Sequence, residues 1–518
     1  MRNDTQRHGT ILLATTMMLA SCVSDALADW PTDPATPLVV GPAQLAFTPR
    51  LSVVTADDGA VWIAWQDSFC GGADEGSVRL QRVALDAALL APHGIDAQQD
   101  PTCGFVLPPI LTPVDDGVLV SRPLVGLDTE PLQSFDATGA AAWPAGFSTS
   151  EVYTLGASAR LDGGDTLVVS YAWSTIRADR LDASGAPVWP APSTFDSDTG
   201  PNLRILGIVP EPTGGAYVFW DSPAFAYTRL IRAQRLDADG TPAWTPSVRL
   251  VASPPDVTSS RHTDPVIATD GQGGAVVIFA QGFETGTTPA PLLMQRIDPD
   301  GALAFPLDGQ RVSLGVDRQF DPIVRTDPAT SDLLIVWRDG LFDAQSVRAQ
   351  RMTPDGERLW GNQGIAVAPI TPSDTFDAVW QNGRLSVVVA SASGAVMHNF
   401  DAQGAPAPGP WTVSTDPAYY VRAVPSADGI VVAWQRDGEG LDDAIVAQRV
   451  NPDGRLGAPA CSAADLSAPF GAIDFSDVVA FLVAFAGGEP AADLAPPLGQ
   501  LDFSDVVAFL TVFAGGCP

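Results

Sequence analysis

A strand pattern runs into a tight turn at Gln234-Arg235-Leu236-Asp237-Ala238-Asp239-Gly240, and copies of this segment recur along the chain. The closest copies begin at Gln295, Gln350 and Gln448, weaker copies end at Gly139, Gly185 and Gly404, and a degenerate copy follows Gln81-Arg82. Asp-Gly after a strand is a strong hairpin-turn signal, because glycine accepts the positive φ of the turn. These copies define eight repeat units.

A second strand pattern precedes the turn in each clear unit. It is an apolar run that ends in an aromatic residue and then polar residues, as in Gly59–Asp67, Gly215–Asp221, Leu334–Asp339 and Gly429–Gln435. Such runs are typical of buried strands. An aromatic residue often returns four positions after the turn glycine, at Trp143, Trp189, Trp244, Phe305 and Trp360. Each unit, of about 50 residues, is thus predicted to contribute one stacked aromatic packing position.

The two ends of the repeat array indicate how it closes. The last unit stops at Gly457 without the strand that follows the turn elsewhere, whereas Pro37–Gly41 has the pattern of that strand. A strand lent from the N-terminus would complete the last unit and remove exposed sheet edges. We therefore expect a mainly β fold, with an eight-bladed β-propeller-like repeat domain over residues 29–457. An open β array and two smaller propeller halves are the alternatives.

The repeats resemble the propeller repeats of many exported bacterial proteins, in which Gly-Gly precedes a strand ending in Trp and Gln-Arg-x-Asp-x-x-Gly follows. The resemblance covers most of residues 36–457 and implies a binding or scaffold surface. The Asp-x-x-Gly-x-x-x-Trp segments also resemble the Asp-boxes of sialidase-type propellers, which would imply glycoside hydrolysis. Here Trp follows Gly by four residues instead of three, so we interpret these turns as structural.

Residues 1–28 have the pattern of a secretory signal, in which a basic start precedes an apolar run and small residues stand before Asp29. This pattern predicts a secreted or cell-surface protein. We favour ordinary cleavage before Asp29. The alternative is lipoprotein anchoring at Cys22, because residues 19–22 resemble a bacterial lipobox.

The charge balance excludes some partners. The chain has 28 Lys and Arg against 60 Asp and Glu, a formal net charge of −32, which repels nucleic acid and anionic membranes. No stretch after the signal reaches the roughly 18 to 20 apolar residues of a membrane helix. We expect no nucleic-acid partner and no transmembrane segment in the mature chain.

Four cysteines remain outside the signal, an even number that favours two disulfides in an oxidising compartment. Cys461 and Cys517 bracket the C-terminal region and are predicted to pair, which leaves Cys70 to pair with Cys103. Neither pair has the spacing of a metal site.

The usual catalytic motifs are missing from the sequence. It has no Gly-x-Ser-x-Gly elbow, no His-Glu-x-x-His helix, no Walker loop and no Rossmann fingerprint, so no residue is assigned a catalytic role. One arginine recurs in each clear repeat, at Arg235, Arg296, Arg351 and Arg449. We expect ion pairs between these arginines and acidic residues of their own blade. The alternative is a ring of arginines that binds an anion in a central channel.

A shorter repeat occupies residues 458–518. The segment Asp474-Phe475-Ser476-Asp477-Val478-Val479-Ala480-Phe481-Leu482 returns 28 residues later. Apolar residues at helical spacing, with Asp474 and Asp477 placed to cap the helix start, predict a loop and a helix in each copy. Because units this short cannot bury their apolar faces alone, we expect a small all-α helix pair.

The paired Asp-Phe-Ser-Asp-Val-Val-Ala-Phe-Leu segments and the final Gly516-Cys517-Pro518 resemble the GC-type dockerin-like module of exported bacterial proteins. The resemblance implies EF-hand-like calcium loops and docking to a cohesin-like or other envelope protein. The calcium ligands would be Asp465, Asp474, Asp477, Asp493, Asp502 and Asp505. Because apolar residues occupy the first, third and fifth loop positions, we favour the alternative that these aspartates cap helices and form turns.

These patterns together predict an exported, non-enzymatic binding or scaffold protein. The propeller would display a surface for a glycan or protein ligand, and the dockerin-like module would tether it to a cell-surface or extracellular partner. One alternative is a dockerin-anchored propeller glycoside hydrolase or other polysaccharide-degrading enzyme. Another is a structural component of the surface layer.

Overall fold

The computed structural model contains eight antiparallel sheets followed by two helices. It describes residues 30–42, 51–66, 77–99, 109–115, 117–121, 132–143, 147, 154–196, 203–225, 228–251, 260–283, 290–307, 309–341, 344–427, 429–436, 444–458, 461–467, 473–496 and 500–516.

Each sheet is one blade, numbered in chain order, and β1 (Leu38–Pro42) precedes blade 1. Blade 1 has β2 (Ser52–Thr55), β3 (Val61–Gln66), β4 (Ser77–Val83) and β5 (Ile95–Gln99). Blade 2 has β6 (Ile110–Val114), β7 (Gly117–Ser121) and β8 (Gln133–Asp136). Blade 3 has β9 (Thr154–Arg160), β10 (Thr166–Ala172), β11 (Thr175–Leu181) and β12 (Ser193–Asp196). Blade 4 has β13 (Arg204–Pro210), β14 (Ala216–Phe225), β15 (Thr228–Leu236) and β16 (Val248–Arg249).

The second half of the array repeats this meander. Blade 5 has β17 (Ser260–Thr269), β18 (Ala275–Phe283), β19 (Leu292–Ile297) and β20 (Gln310–Arg311). Blade 6 has β21 (Gln319–Thr326), β22 (Leu333–Leu341), β23 (Ala344–Met352) and β24 (Ile365–Ile370). Blade 7 has β25 (Thr375–Gln381), β26 (Arg384–Ser391), β27 (Gly394–Phe400) and β28 (Trp411–Ser414). Blade 8 has β29 (Ala418–Ser426), β30 (Gly429–Arg436) and β31 (Ala444–Val450).

The first strands of the blades form a closed ring, which confirms the predicted eight-bladed propeller. Each of these inner strands contacts its counterpart in the next blade, and β29 of blade 8 contacts β2 of blade 1. Strand order within the blades is sequential, as in an antiparallel meander. The apolar second strands lie between neighbours on both sides and are buried along most of their length.

The N-terminus closes the ring, as the sequence predicts. β1 pairs antiparallel with β31, with Leu38 opposite Ala447, so blade 8 takes its outermost strand from the other end of the repeat array. Trp30 extends this closure, because its indole N–H donates to the carbonyl of Leu85 in blade 1 at 2.9 Å. Trp30 is only 2% exposed. β1 and Trp30 therefore add to the contact of β29 with β2 in closing the ring between blade 8 and blade 1.

The glutamine and the aromatic residue of the repeat act together to join neighbouring blades. In blade 4 the Gln234 amide donates to the Trp244 carbonyl at 2.8 Å and accepts from its main-chain N–H at 3.3 Å. The Trp244 indole N–H reaches the carbonyl of Pro299 in blade 5 at 3.3 Å. Its ring lies against the turn glycine Gly301, which has a φ of 87° and where a Cβ would approach the ring to 3.1 Å. The same contact occurs at Trp143 with Gly185, Trp189 with Gly240, Phe305 with Gly356 and Trp360 with Gly404. The predicted packing position is confirmed as a contact between one blade and the turn of the next.

The C-terminal region contains the predicted helix pair, α1 (Phe475–Gly487) and α2 (Phe503–Gly515), with a short 3-10 helix at Pro490–Ala492 between them. The two helices pack through Phe481 and Phe509, whose rings stack with their centroids 4.1 Å apart. Within the described ranges, no helix has both the length and the apolar character that a membrane crossing requires.

Candidate functional site

The first candidate site is a cavity of about 720 Å³ that is walled by the inner strands. Strands from blades 1, 4, 5, 6, 7 and 8 contribute to this wall, and we call it the axial cavity. Its charged lining side chains come from blades 6, 7 and 8: Asp321, Arg325, Arg338, Asp377 and Arg422. A cavity of this volume accommodates a small-molecule ligand.

Arg338 and Asp321 form one ion pair of the axial cavity, with Arg338 Nε donating to Asp321 at 3.2 Å. Arg338 also donates to the side chain of Gln345 and to the carbonyls of Thr371 and Asp374, at 2.7 to 3.1 Å. Arg338 is buried, so its guanidinium is occupied by protein acceptors and fixes the cavity wall. The Asp321 side chain is 50% exposed.

Asp377 forms the second ion pair, with Arg325 at 3.2 Å. Its carboxylate also accepts the main-chain N–H groups of Ala378 at 2.7 Å and Ala423 at 3.0 Å, so it joins blade 7 to blade 8. Asp377 is buried, whereas the Arg325 side chain is 41% exposed. Arg325 uses two of the five guanidinium N–H groups in the described contacts, on Asp377 and on the carbonyl of Val324.

Arg422 carries the fifth charge of the axial cavity. It is exposed, and its Nη1 donates to the carbonyl of Val421 at 2.9 Å. Among the side chains that the structure describes, no carboxylate lies within ion-pairing distance of Arg422. Among the lining side chains that the structure describes, there are three guanidinium groups and two carboxylates, a net charge of plus one, in a chain whose formal net charge is −32.

Two non-glycine residues of the axial cavity have left-handed backbone conformations. Asp321 has a φ of 51° and Tyr420 a φ of 53°. Each lies where the strand pairing is irregular, within residues 320–323 of β21 and 419–422 of β29. Bulges redirect side chains, and strained residues of this kind concentrate at functional sites. Register shifts at the corresponding place in the inner strands of blades 4 and 5 show that these irregularities belong to the blade repeat.

Three of the repeated arginines form ion pairs within their own blades, as predicted. The pairs are Arg235 with Glu211 at 2.7 Å, Arg296 with Asp270 at 2.8 Å and Arg351 with Asp327 at 2.9 Å. Arg449 donates to Asn451 in blade 8. Arg296 also pairs with Asp355 of the next blade at 2.8 Å. None of these arginines lines the axial cavity, so they join strands and blades.

The second candidate site is the outer surface of the helix pair. Each helix exposes large apolar side chains at the same three positions: Phe475, Val479 and Leu482 in α1, and Phe503, Val507 and Leu510 in α2. Residues at this spacing share one face of a helix. Phe475 and Phe503 are both 77% exposed. We call these two surfaces the apolar faces, and contiguous exposed apolar surface of this kind marks interaction sites.

Asp477 and Asp505 hold each loop against its helix. One Asp477 oxygen accepts the N–H groups of Leu466 and Ser467 at 2.7 and 2.8 Å, and the other accepts that of Asp474 at 2.8 Å. Asp505 makes the same three bonds at 2.8 Å, with the N–H groups of Leu494, Ala495 and Asp502. The N–H of Asp502 is the main cause that lowers the pKa of Asp505 from its ordinary value.

Asp474 and Asp502 are the N-caps of the two helices. Each accepts a main-chain N–H at 2.7 Å, from Ser476 and Ser504 respectively, and each completes a capping box with the aspartate three residues later. The Ser476 hydroxyl is the main cause that lowers the pKa of Asp474. The predicted capping role of these aspartates is confirmed.

The described geometry fits calcium poorly. Asp477 and Asp505 direct their oxygens at N–H donors, and Asp465 accepts the N–H of Cys461 at 2.8 Å. Within the described ranges, no group of three His, Cys, Asp or Glu side chains is placed to hold a metal ion. Loop residues 468–472 and 497–499 lie outside the described residues. Calcium binding by the six aspartates, Asp493 included, stays a prediction.

The disulfide predictions fall mostly outside the described residues. Cys461 is disulfide-bonded, and its predicted partner Cys517 is among the residues that the structure does not describe. The same holds for Cys70, Cys103 and the predicted signal with Cys22.

No protein-family model and no curated protein matches this sequence. Solved structures with some similarity include an alpha-L-arabinanase of Penicillium chrysogenum, at 17% identity and a TM-score of 0.34, covering 59% of this chain and 95% of that chain. Polysaccharide lyase Uly1 has 9% identity and a TM-score of 0.42, covering 70% and 94%. An alpha-L-arabinofuranosidase of Fusarium graminearum has 14% identity and a TM-score of 0.34, covering 58% and 93%. These scores are too low to bear on the activity of this chain, whose fold is defined by its own strand pairing.

The axial cavity is the site that sequence reasoning missed. Its signal is a departure from the repeat, because Arg325 and Arg422 occupy positions at which the inner strands of blades 1, 4 and 5 carry small or apolar residues. The inner strands cannot be aligned from the sequence alone, because they lack the aromatic and turn motifs that identify the other strands.

Proposed function

We propose that this chain is an exported binding protein whose C-terminal helix pair attaches it to the cell envelope. The observation that carries the proposal is the pair of matching apolar faces on α1 and α2. The pair buries Phe481 and Phe509 but leaves Phe475 and Phe503 in contact with water. Burying such side chains against a partner lowers the free energy, because it removes apolar surface from water. The dockerin-like resemblance supports the same role.

The partner surface is expected to be apolar. Residues 458–518 contain no Lys, Arg or His, and their seven Asp and Glu residues lie outside the apolar positions of the helices. Binding would therefore gain its free energy from apolar burial and depend only weakly on salt. The proposed partner is a cohesin-like envelope protein with an apolar docking surface.

The test is capture of envelope proteins from producing cells by the immobilised full chain. We expect the wild type to retain a specific partner, and the double variant Phe475→Ser and Phe503→Ser to lose it. The matched control is Leu314→Ser with Val316→Ser, which removes two exposed apolar side chains from the propeller. Equal capture by both double variants, or no capture by the wild type, would rule out attachment through the helix pair.

The same capture experiment in calcium and in chelator separates the two roles of the loop aspartates. Because Asp477 and Asp505 are already bonded to main-chain N–H groups, we expect capture in both conditions. Capture only in calcium would establish a metal-dependent dockerin and overturn the capping role as the main function of these residues.

A polysaccharide-cleaving enzyme is the second candidate function, and the axial cavity favours it. Glycoside hydrolysis uses carboxylates beside the scissile bond, and Asp321 and Asp377 are the described carboxylates of the cavity lining. Asp321 is the better placed of the two, because it is half-exposed, whereas Asp377 is enclosed by its partners. The solved propellers that cleave sugar polymers resemble this chain only weakly, so this candidate rests on the cavity.

Release of reducing ends from a panel of polysaccharides tests the second candidate. An enzyme would release sugar from at least one polymer, and Asp321→Asn would abolish the release. The control is Asp355→Asn, an exposed carboxylate that does not line the cavity. If the wild type cleaves nothing, or if Asp321→Asn cleaves as fast as the wild type, the enzymatic candidate is rejected.

A further inference from the structure

We infer that the axial cavity binds a carboxylate-bearing ligand of the size of a short acidic oligosaccharide, with Arg422 and Arg325 as its anchors. The inference rests on the proposed binding role of the propeller and names the class of its ligand.

Arg422 is a departure from the repeat. It pairs with Ala433, the residue just before the strand aromatic Trp434. Blades 1, 4, 5 and 6 also have an aromatic residue at this place in the second strand. In each of them, the inner-strand residue that pairs with the position just before the aromatic is small or apolar: Ser52, Gly207, Val266 and Ile323. The propeller architecture therefore does not need an arginine at this position.

Arg325 is a second departure. It pairs with Leu334, three residues before the strand aromatic Trp337. The matching inner-strand residues of other blades are Val54, Val209, Ala268 and Val424. When the inner strands are aligned by their pairing with the second strands, Arg422 corresponds to Ile323, and Arg325 lies two residues further along the strand. Positions two residues apart in a strand lie on the same side of the sheet. Both arginines line the axial cavity.

The electrostatics of the cavity select a singly charged anion. Arg338 with Asp321 and Arg325 with Asp377 form neutral pairs, and Arg422 supplies one further positive charge. A guanidinium binds planar carboxylates through paired N–H groups. A carboxylate carries one negative charge and balances this excess, whereas a phosphate monoester carries about −1.5 to −2 at neutral pH. The charge count therefore favours a carboxylate.

The remaining lining fits a sugar ring. The cavity adds the phenol of Tyr420, the hydroxyls of Ser52 and Thr375, and apolar surface from Pro265 and Ile323. A ligand that combines a carboxylate, several hydroxyls and an apolar ring face matches this set. An acidic oligosaccharide has all three features.

The test is isothermal titration calorimetry on the full chain with short oligosaccharides that carry a single galacturonate residue, and with neutral galacto-oligosaccharides of the same length. We expect the acidic sugars to bind and the neutral sugars to bind at least about tenfold more weakly. Arg422→Gln and Arg325→Gln should each weaken acidic-sugar binding by about tenfold or more. Arg311→Gln is the matched control, because it removes one exposed arginine on β20, away from the cavity lining.

The inference is overturned if acidic and neutral sugars bind equally, if no acidic sugar binds, or if Arg422→Gln binds as tightly as the wild type. Urea unfolding of each variant checks that the fold is intact, and Arg422→Lys, which keeps the charge, should retain part of the affinity. The Phe475→Ser and Phe503→Ser substitutions used in the capture assay do not change the lining of the cavity. A wild-type chain that captures its envelope partner but binds no acidic sugar would therefore refute the cavity inference alone.

Discussion

The propeller and the helix pair are both tandem repeats, but they differ in what they leave uncovered. At most blade junctions of the propeller an aromatic of one blade packs on the turn glycine of the next, and Trp30 makes the corresponding contact of blade 8 with blade 1. The helix pair has two units, so Phe481 and Phe509 cover each other while Phe475 and Phe503 have no repeat to pack against. In a closed ring each repeat is covered by its neighbours, whereas an isolated pair of repeats leaves apolar surface exposed for a partner.

Trp30→Ala is the substitution expected to break the closed ring most severely. Removing a buried tryptophan from a core costs about 3 to 5 kcal/mol, and here it also removes the contact of blade 8 with Leu85. The expected result is a large fall in the urea midpoint. Trp173→Ala is the control, because Trp173 is exposed at a turn, and it should change stability by less than about 0.5 kcal/mol. Equal midpoints for the two variants would contradict the role of Trp30 in closure.

Arg351→Met tests the ion pairs that join strands inside a blade. Arg351 lies buried with Asp327 at 2.9 Å and Asp332 at 2.8 Å, and removing it leaves two buried carboxylates without their cation. The expected loss of unfolding free energy is about 3 kcal/mol, as for a broken buried pair. Arg311→Met should be nearly neutral in the same assay, since Arg311 is exposed. A cost for Arg351→Met no larger than that of the control would show that the pair is dispensable.

The cost of Arg351→Met should depend on pH. Burial alone would raise the pKa of Asp327, but the Ala329 N–H, the neighbouring side-chain hydrogen bonds and the Arg351 guanidinium together lower it from its ordinary value. A folded-state pKa below the unfolded value gives stability that is present above the unfolded pKa and is lost as pH falls through the folded pKa. The difference between wild type and variant should be constant near neutral pH and shrink in acid. A difference that grows in acid would contradict this assignment.

Asp477→Asn should loosen the helix pair without affecting the propeller. The substitution replaces one carboxylate oxygen by an NH2 group, which cannot accept a hydrogen bond. If the remaining oxygen accepts the N–H groups of Leu466 and Ser467, the N–H of Asp474 loses its acceptor. The expected cost is about 1 to 3 kcal/mol, seen as faster hydrogen exchange confined to α1 and its loop. Ser467→Ala keeps every main-chain bond and serves as the control. Unchanged exchange in Asp477→Asn would show that the loop is held by other contacts.

Phe475→Ser with Phe503→Ser should have the smallest effect on stability. Both side chains are outside the core of the pair, so the free energy of unfolding is expected to change by no more than about 0.5 kcal/mol per site. Phe481→Ser, in the stacked core, is the contrasting variant and should unfold the pair. If the outer double variant is as destabilising as Phe481→Ser, the apolar faces belong to the core and are not free for a partner.

Much of the fold could be predicted because repetition multiplies a weak local signal. The Asp-x-x-Gly turn and the following aromatic occur often enough to fix the unit, and the missing strand after Gly457 indicated the closing role of β1. The axial cavity could not be predicted, because it depends on which inner-strand side chains converge from blades far apart in sequence. Arg325 and Arg422 are 97 residues apart in the sequence. Only the pairing of the inner strands with the second strands shows that they share one wall.

Hydroxyl-radical footprinting of the full chain, free and after capture on envelope extract, tests whether the helix pair attaches the protein to the envelope. Attachment through the helix pair predicts that Phe475, Leu482, Phe503 and Leu510 become protected on capture, while the exposed propeller residues Trp173 and Val316 react as before. Protection on the propeller with the two apolar faces still reactive would contradict attachment through the helix pair.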